Sequence, residues 1–126
     1  MDPNLKKEAL PLNEGINQAH HVVQLASEKQ ASDILLLDIR QLNSFADFFV
    51  LLTADNRRQM NMLVEELDKA LSKDGARLYH REGIADSGWI LLDFGDVVVH
   101  ILGQEEREFY GLERLWSQAI PLVKIQ

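Results

Sequence analysis

Trp89-Ile90-Leu91-Leu92-Asp93-Phe94-Gly95-Asp96-Val97-Val98-Val99-His100-Ile101-Leu102 is the stretch that decides the fold. Two runs of aliphatic and β-branched residues flank a glycine-centred connection, Phe94-Gly95-Asp96, which is the pattern of a β-hairpin. Upstream, Asp33-Ile34-Leu35-Leu36-Leu37-Asp38-Ile39 and Phe48-Phe49-Val50-Leu51-Leu52 are nearly continuous apolar runs of strand length. Strands covered on both faces read this way, so these are expected at the centre of a sheet. Between them, residues 42–47 carry turn formers and are expected to be a loop.

Helices flank those strands. Met60, Leu63, Val64, Leu67 and Leu71 recur at i, i+3, i+4 and i+7, Asn56 with Gln59 resembles a capping box, and Gly75 marks the exit. An earlier helix is expected from the candidate N-cap Asn13 to about Lys29, on the stripe Ile16, Ala19, Val23 and Ala26. Residues 77–80 suit an edge strand, and residues 83–88 a loop. After the hairpin, Phe109, Leu112 and Trp116 fall at helical spacing, with Pro121 as a stop, which predicts one or two short helices folding back on the sheet. The sum is an α/β (α+β) architecture, a mixed β-sheet flanked by helices. Residues 11–120 are expected to form one domain, with a flexible lead-in over 1–10 and a tail over 121–126.

Composition narrows the function. The chain has no cysteine, which removes disulfides, thiolate metal sites and a cysteine nucleophile together. No apolar run approaches the ~20 residues needed to cross a bilayer, and the first residues lack the pattern of a signal peptide. A cytoplasmic protein is expected, or the mature form of an organellar one. The formal net charge of −7 disfavours nucleic acid as the main contact, because phosphate binding needs a surplus of Lys and Arg. From Glu82 to Glu113 eight carboxylates stand against Arg107 alone, so this region should attract a basic protein.

Candidate constellations for chemistry are weak. Asp93, Asp96 and His100 offer ligand types for a metal, but the two aspartates bracket a turn, where Asp caps backbone N–H groups, and His100 lies in a strand. No metal or cofactor is expected. Arg57 and Arg58 open a helix without any glycine-rich loop to cradle a phosphate. Adjacent Phe109 and Tyr110 must point to different sides of a helix, so one can be buried while Tyr110, with its polar tip, is the better candidate for presentation. Trp116, on an apolar stripe, reads as core, whereas Trp89 could be core or an interface anchor.

The run Gly88 to Ile101, followed by Arg107-Glu108-Phe109-Tyr110-Gly111-Leu112-Glu113-Arg114-Leu115-Trp116, resembles the signature of the ribosomal silencing factor (RsfS/Iojap) family. Asp33-Ile34, Ala46-Asp47-Phe48-Phe49-Val50, Arg58-Gln59 and Glu82-Gly83 agree with it, and the resemblance covers roughly residues 31–117. It implies a nucleotidyltransferase-like fold without transferase activity. It further implies docking on the large ribosomal subunit through the fourteenth large-subunit ribosomal protein. There, a member of the family blocks joining of the small subunit and represses translation when nutrients are short. Carried onto this chain, the implied contact set is Trp89, Asp93, Asp96, His100, Glu105, Glu106, Arg107, Tyr110, Leu112, Glu113 and Trp116. Thr53-Ala54-Asp55-Asn56 departs from the family pattern, which has a glycine in that turn. Two other readings stand beside this one: a magnesium-dependent nucleotidyltransferase-like enzyme using Asp38, Asp47 or Asp93, and a homodimer formed through the same aromatic surface.

Overall fold

A computed structural model describes residues 3–42 and 46–126. Its sheet has the strand order β3-β4-β5-β2-β1-β6. β1 (Ser32–Asp38) and β2 (Phe48–Ala54) are antiparallel, and β4 (Trp89–Asp93) and β5 (Val97–Gly103) form the expected hairpin. β2 runs parallel to β5 at the sheet centre, Leu51 facing His100, so the sheet is mixed. β3 (His80–Glu82) borders β4, starting three residues and ending two residues later than the sequence suggests.

Strand alternation sorts the side chains to two faces. On the first face, Ile34, Leu36, Phe48, Val50, Leu52, Ile90, Val99 and Ile101 join Ala19, Val22 and Ala26 of α1 (Pro3–Glu28) and Leu63, Leu67 and Leu71 of α2 (Arg57–Lys73) in the main core. Each fully buried leucine or isoleucine there contributes roughly 1.5–3 kcal/mol relative to exposure. α2 buries Met60, Leu63, Val64, Leu67 and Leu71, the stripe read from the sequence. Its cap is a box displaced by one residue: Asn56 Oδ1 accepts from Gln59 N–H at 2.8 Å, while Gln59 Oε1 accepts from Asp55 N–H at 2.6 Å. Gln59 Nε2 also donates to the Lys29 carbonyl at 3.1 Å, tying the start of α2 to the end of α1. The turn entering α2 manages without glycine, since positive φ among non-glycine residues is confined to Gln30 and Asp33 among the described residues.

The second face carries a smaller cluster, Leu35, Leu37, Ile39, Phe49, Leu51, Val98, Leu102 and Leu112 among it, with Trp89, Leu91 and Trp116 half-buried at its border. Among the described residues, the helices that pack on it are α3 (Gln104–Tyr110) and α4 (Leu112–Leu115).

Both ends of the chain carry elements that the sequence reading did not name. The lead-in is helical from Pro3, and the tail is a strand, β6 (Ile120–Ile125), paired antiparallel to β1. Pro121 does not stop the chain there. It sits on an edge strand, where a missing N–H costs no ladder bond on the open side, and the register shifts beside it between Leu36 and Leu37. Of the loop expected over residues 42–47, positions 43–45 lie outside the described residues.

Candidate partner-binding face

Six rings run in sequence across the second face. Trp116 meets Phe49 edge-on with centroids 4.9 Å apart, Phe49 meets His100 at 4.8 Å, and His100 lies 5.9 Å from Trp89. Trp89 is 4.7 Å from Tyr110, and Tyr110 is 5.1 Å from Phe109 in a T-shaped pair. Burial falls along this row: His100 is 5% exposed, Trp89 is half-buried, Tyr110 is 47% exposed and Phe109 81%. The expectation that Tyr110 would be presented and its neighbour buried therefore needs correction, because both are exposed. The reason is α3 itself, seven residues long, whose buried position is taken by Arg107 rather than by an aromatic residue.

Arg107 anchors that helix. Its Nε donates to Glu113 Oε1 at 2.8 Å and its Nη1 to Thr53 Oγ1 at 3.0 Å, leaving the residue 7% exposed. Gly111, at φ 55°, ends α3 and turns the chain into α4, which brings Glu113 back over Arg107. The helical spacing of Phe109, Leu112 and Trp116 is thus divided between two elements. Leu112 is buried, and Trp116 is half-buried against Phe49.

Within the expected contact set, burial removes Arg107, His100 and Leu112 from the surface at 7%, 5% and 7% exposure; they support the face from beneath. Glu105, Glu106 and Glu108 share a recess with Phe109 and Tyr110, next to Trp89. Asp93 and Asp96 stand apart: Asp93 is at the far end of β4 from Trp89, about 13 Å away at strand rise. Its Oδ1 accepts from Gly95 N–H at 2.8 Å, the turn-capping role read from the sequence.

Of the carboxylates named by the enzyme reading, Asp38 and Asp93 already hold partners. Asp38 takes Arg40 Nε at 2.9 Å and Nη2 at 2.6 Å, a hydrogen-bonded pair that holds its carboxyl below the usual range. Asp47 is pushed up by burial, with Arg40 opposing. Asp96 is likewise raised by burial, then by the neighbouring Asp47 and Glu14. Among the described residues no three acidic or histidine side chains gather in a metal-holding group.

His100 carries the strongest titration signature of the face. Trp89 Nε1–H donates to His100 Nδ1 at 3.2 Å, which assigns the remaining ring proton to Nε2, a buried atom without a partner among the described residues. Desolvation, then the nearby Arg107 charge, lowers the imidazole pKa from 6.5 to about 4. The sign follows from linkage. Between these two values the unfolded chain binds a proton that the folded chain refuses, so stability is lost as pH falls through this window. Between about pH 7 and about pH 5 the expected loss is about 2 kcal/mol. Chemical denaturation at the two pH values measures it, and His100→Gln should show a flatter profile; an unchanged slope in the variant would assign the loss elsewhere.

Two exposed rings that continue from half-buried Trp89 and are bordered by carboxylates are chemistry suited to contact with a protein. The chain belongs to the ribosomal silencing factor family: residues 13–126 match the family described as "Ribosomal silencing factor during starvation". It is 33% identical over 104 residues to the ribosomal silencing factor RsfS of Halalkalibacterium halodurans, covering 82% of this chain and 88% of that protein. It is 35% identical over 109 residues to the chloroplastic protein Iojap of Zea mays, covering 86% of this chain but 47% of the maize protein. Among solved structures, a crystal structure of a Chromobacterium violaceum protein is similar at TM-score 0.76 and 29% identity, covering 80% of this chain and 84% of that one.

Proposed function

We propose that the protein silences ribosomes as a steric, non-enzymatic factor, with the Trp89–Tyr110–Phe109 face docking on the fourteenth protein of the large subunit so that the small subunit cannot join. The observation that carries this reading is the exposure of Tyr110 and Phe109, continuing from half-buried Trp89, beside Glu105, Glu106 and Glu108. Large apolar side chains are costly to leave in water unless a partner covers them, and the carboxylates suit a basic one. Trp89, Tyr110 and Phe109 supply the apolar anchor, while Glu105, Glu106 and Glu113 supply the charged rim. Asp93 and Asp96 form a second, separate acidic position. The site of action follows from the partner: it is the compartment that holds the ribosomes.

Sedimentation with separated ribosomal subunits tests the proposal. The protein is expected to travel with the large subunit and to suppress joining when small subunits are added; failure to travel with it refutes the reading. Reversing charge at Glu105 and Glu106 to Lys should slow association roughly tenfold at low salt and flatten its salt dependence, as rim charges do, with a smaller effect on dissociation. Unchanged association rates would remove the carboxylates from the mechanism.

The same face favours a homodimer as a second reading, since a copy that covers Phe109 and Tyr110 would hide them until the ribosome competes. A strictly monomeric mass at high protein concentration rules this out without touching the docking proposal.

A further inference from the structure

Beside the aromatic row, between α3–α4 and the β1–β6 edge, lies a groove of about 570 Å³ that meets the docking surface only at Glu108 and Glu113. Leu35 and Leu37 of β1 and Pro121 of β6 line it from the sheet, and Trp116 and Ala119 line it from the α4 side. Charges of both signs share this lining: Arg107 and Lys124 are cationic, and Asp33, Glu108 and Glu113 anionic, with Glu113 already paired to Arg107.

Three features set the groove apart from an accidental hollow. Arg107 is a buried guanidinium whose Nε and Nη1 are taken by Glu113 and Thr53, while no partner holds its Nη2 among the described residues. Asp33, at φ 47°, holds a backbone conformation that a side chain rarely adopts, at the irregularity of β1 between Ser32 and Leu35. Strain of this kind persists where the surroundings impose it, and it concentrates at ligand sites. Finally, Lys124 faces Leu35 across the ladder, close to Asp33 in the same strand, yet neither Lys124 nor Asp33 forms an ion pair among the described residues.

We infer that this groove binds a free α-amino acid with an apolar side chain. The carboxylate of such a ligand matches the cations Arg107 and Lys124, its ammonium matches Asp33 and Glu108, and its side chain matches the surface of Leu37, Trp116 and Ala119. With Arg107 already partly answered by Glu113, Lys124 on one side and Asp33 and Glu108 on the other form no ion pair among the described residues, and a zwitterion answers both signs within one small molecule. With few heavy atoms and an open site, a dissociation constant on the order of 1 mM is expected.

The test is a nuclear magnetic resonance titration of the ¹⁵N-labelled full chain with L-leucine, and with 4-methylpentanoate and 3-methylbutylamine as analogues that each carry one of its two charges. L-Leucine should shift the amides of β1 and β6 saturably, and each analogue should bind at least about fivefold more weakly. Asp33→Asn, which keeps a residue tolerant of positive φ while removing the charge, and Lys124→Ala, at an exposed position, should each weaken L-leucine binding about fivefold. No saturable shift up to about 20 mM, an analogue that binds as well as L-leucine, or either variant binding like the wild type overturns the inference. Because the titration uses the free protein, its outcome is independent of whether the chain docks on ribosomes.

Discussion

Trp89→Ala is expected to lower affinity for the large subunit about a hundredfold, near 3 kcal/mol, while the protein stays folded. Trp89 occupies the middle of the aromatic row, with Tyr110 4.7 Å away on the solvent side and His100 5.9 Å away on the core side. Truncation therefore removes an anchor and also the surface on which Tyr110 rests. The stability cost should be smaller, because Trp89 is half-buried and the main core lies on the opposite face of the sheet. Deleting the indole also frees His100 Nδ1 from its 3.2 Å hydrogen bond, which adds a modest penalty near neutral pH. Trp89→Phe separates the two contributions: it keeps a ring against Tyr110 and loses the N–H donor, so affinity should fall less than about tenfold. Sedimentation or a direct binding isotherm gives the readout. A folded Trp89→Ala protein that binds as tightly as the wild type would show that the aromatic row is not the docking surface.

The same residues show what was legible in the sequence and what was not. The hairpin and the α2 stripe could be read directly, since β-branched runs around a glycine-centred turn and a 3.6-residue recurrence are local signals that burial only reinforces. The central position of β1 and β2 was legible too, because continuous apolar runs need cover on both faces. The second edge of the sheet was not. β6 has exposed Ile120, Leu122 and Ile125 on an outer strand, with Pro121 and a register shift, so neither alternation nor a clean boundary marks it. Placing it depends on its long-range pairing with β1, a contact that no local window contains.

The candidate face was half legible for a related reason. Aromatic content near residues 109–116 pointed to the region where Tyr110 and Phe109 are exposed, but the helical spacing suggested one stripe where Gly111 divides two helices. Once Gly111 reverses the chain, Glu113 comes within 2.8 Å of Arg107, and the arginine changes from a surface charge into a buried support. A charge six residues from its opposite across a glycine was the available signal, and it carries weight only when the glycine is known to end the helix. His100 was open to a similar argument. It shares the parity of Val98 and Leu102 within β5 and so must face the side of the sheet opposite Val97, Val99 and Ile101. That this second side would be covered at His100 by Trp89 and Phe49 required the register of three strands.

Gly83→Ala should be the most damaging small substitution near the face, costing about 3–4 kcal/mol. Gly83 has φ +86°, and a methyl group built on it would sit 2.1 Å from the Trp89 carbonyl oxygen, which is backbone and cannot swing aside. Left-handed strain accounts for about 1–2 kcal/mol and the forced displacement of β4 for the remainder. Gly75 supplies the control, because it has nearly the same φ, +89°, with nothing within 4 Å of the added methyl. Gly75→Ala should therefore show the conformational cost alone, about 1–2 kcal/mol. In a chain of this size the Gly83 variant should melt roughly 10–15 °C below the wild type and the Gly75 variant about 3–7 °C below it. Displacing the Trp89 carbonyl also moves the start of β4, so the Gly83 variant, measured below its melting point, should lose large-subunit affinity while the Gly75 variant keeps it. Equal melting losses for the two would mean that the close approach of residue 83 to Trp89 does not exist in solution, and the support proposed for the docking face would fall with it.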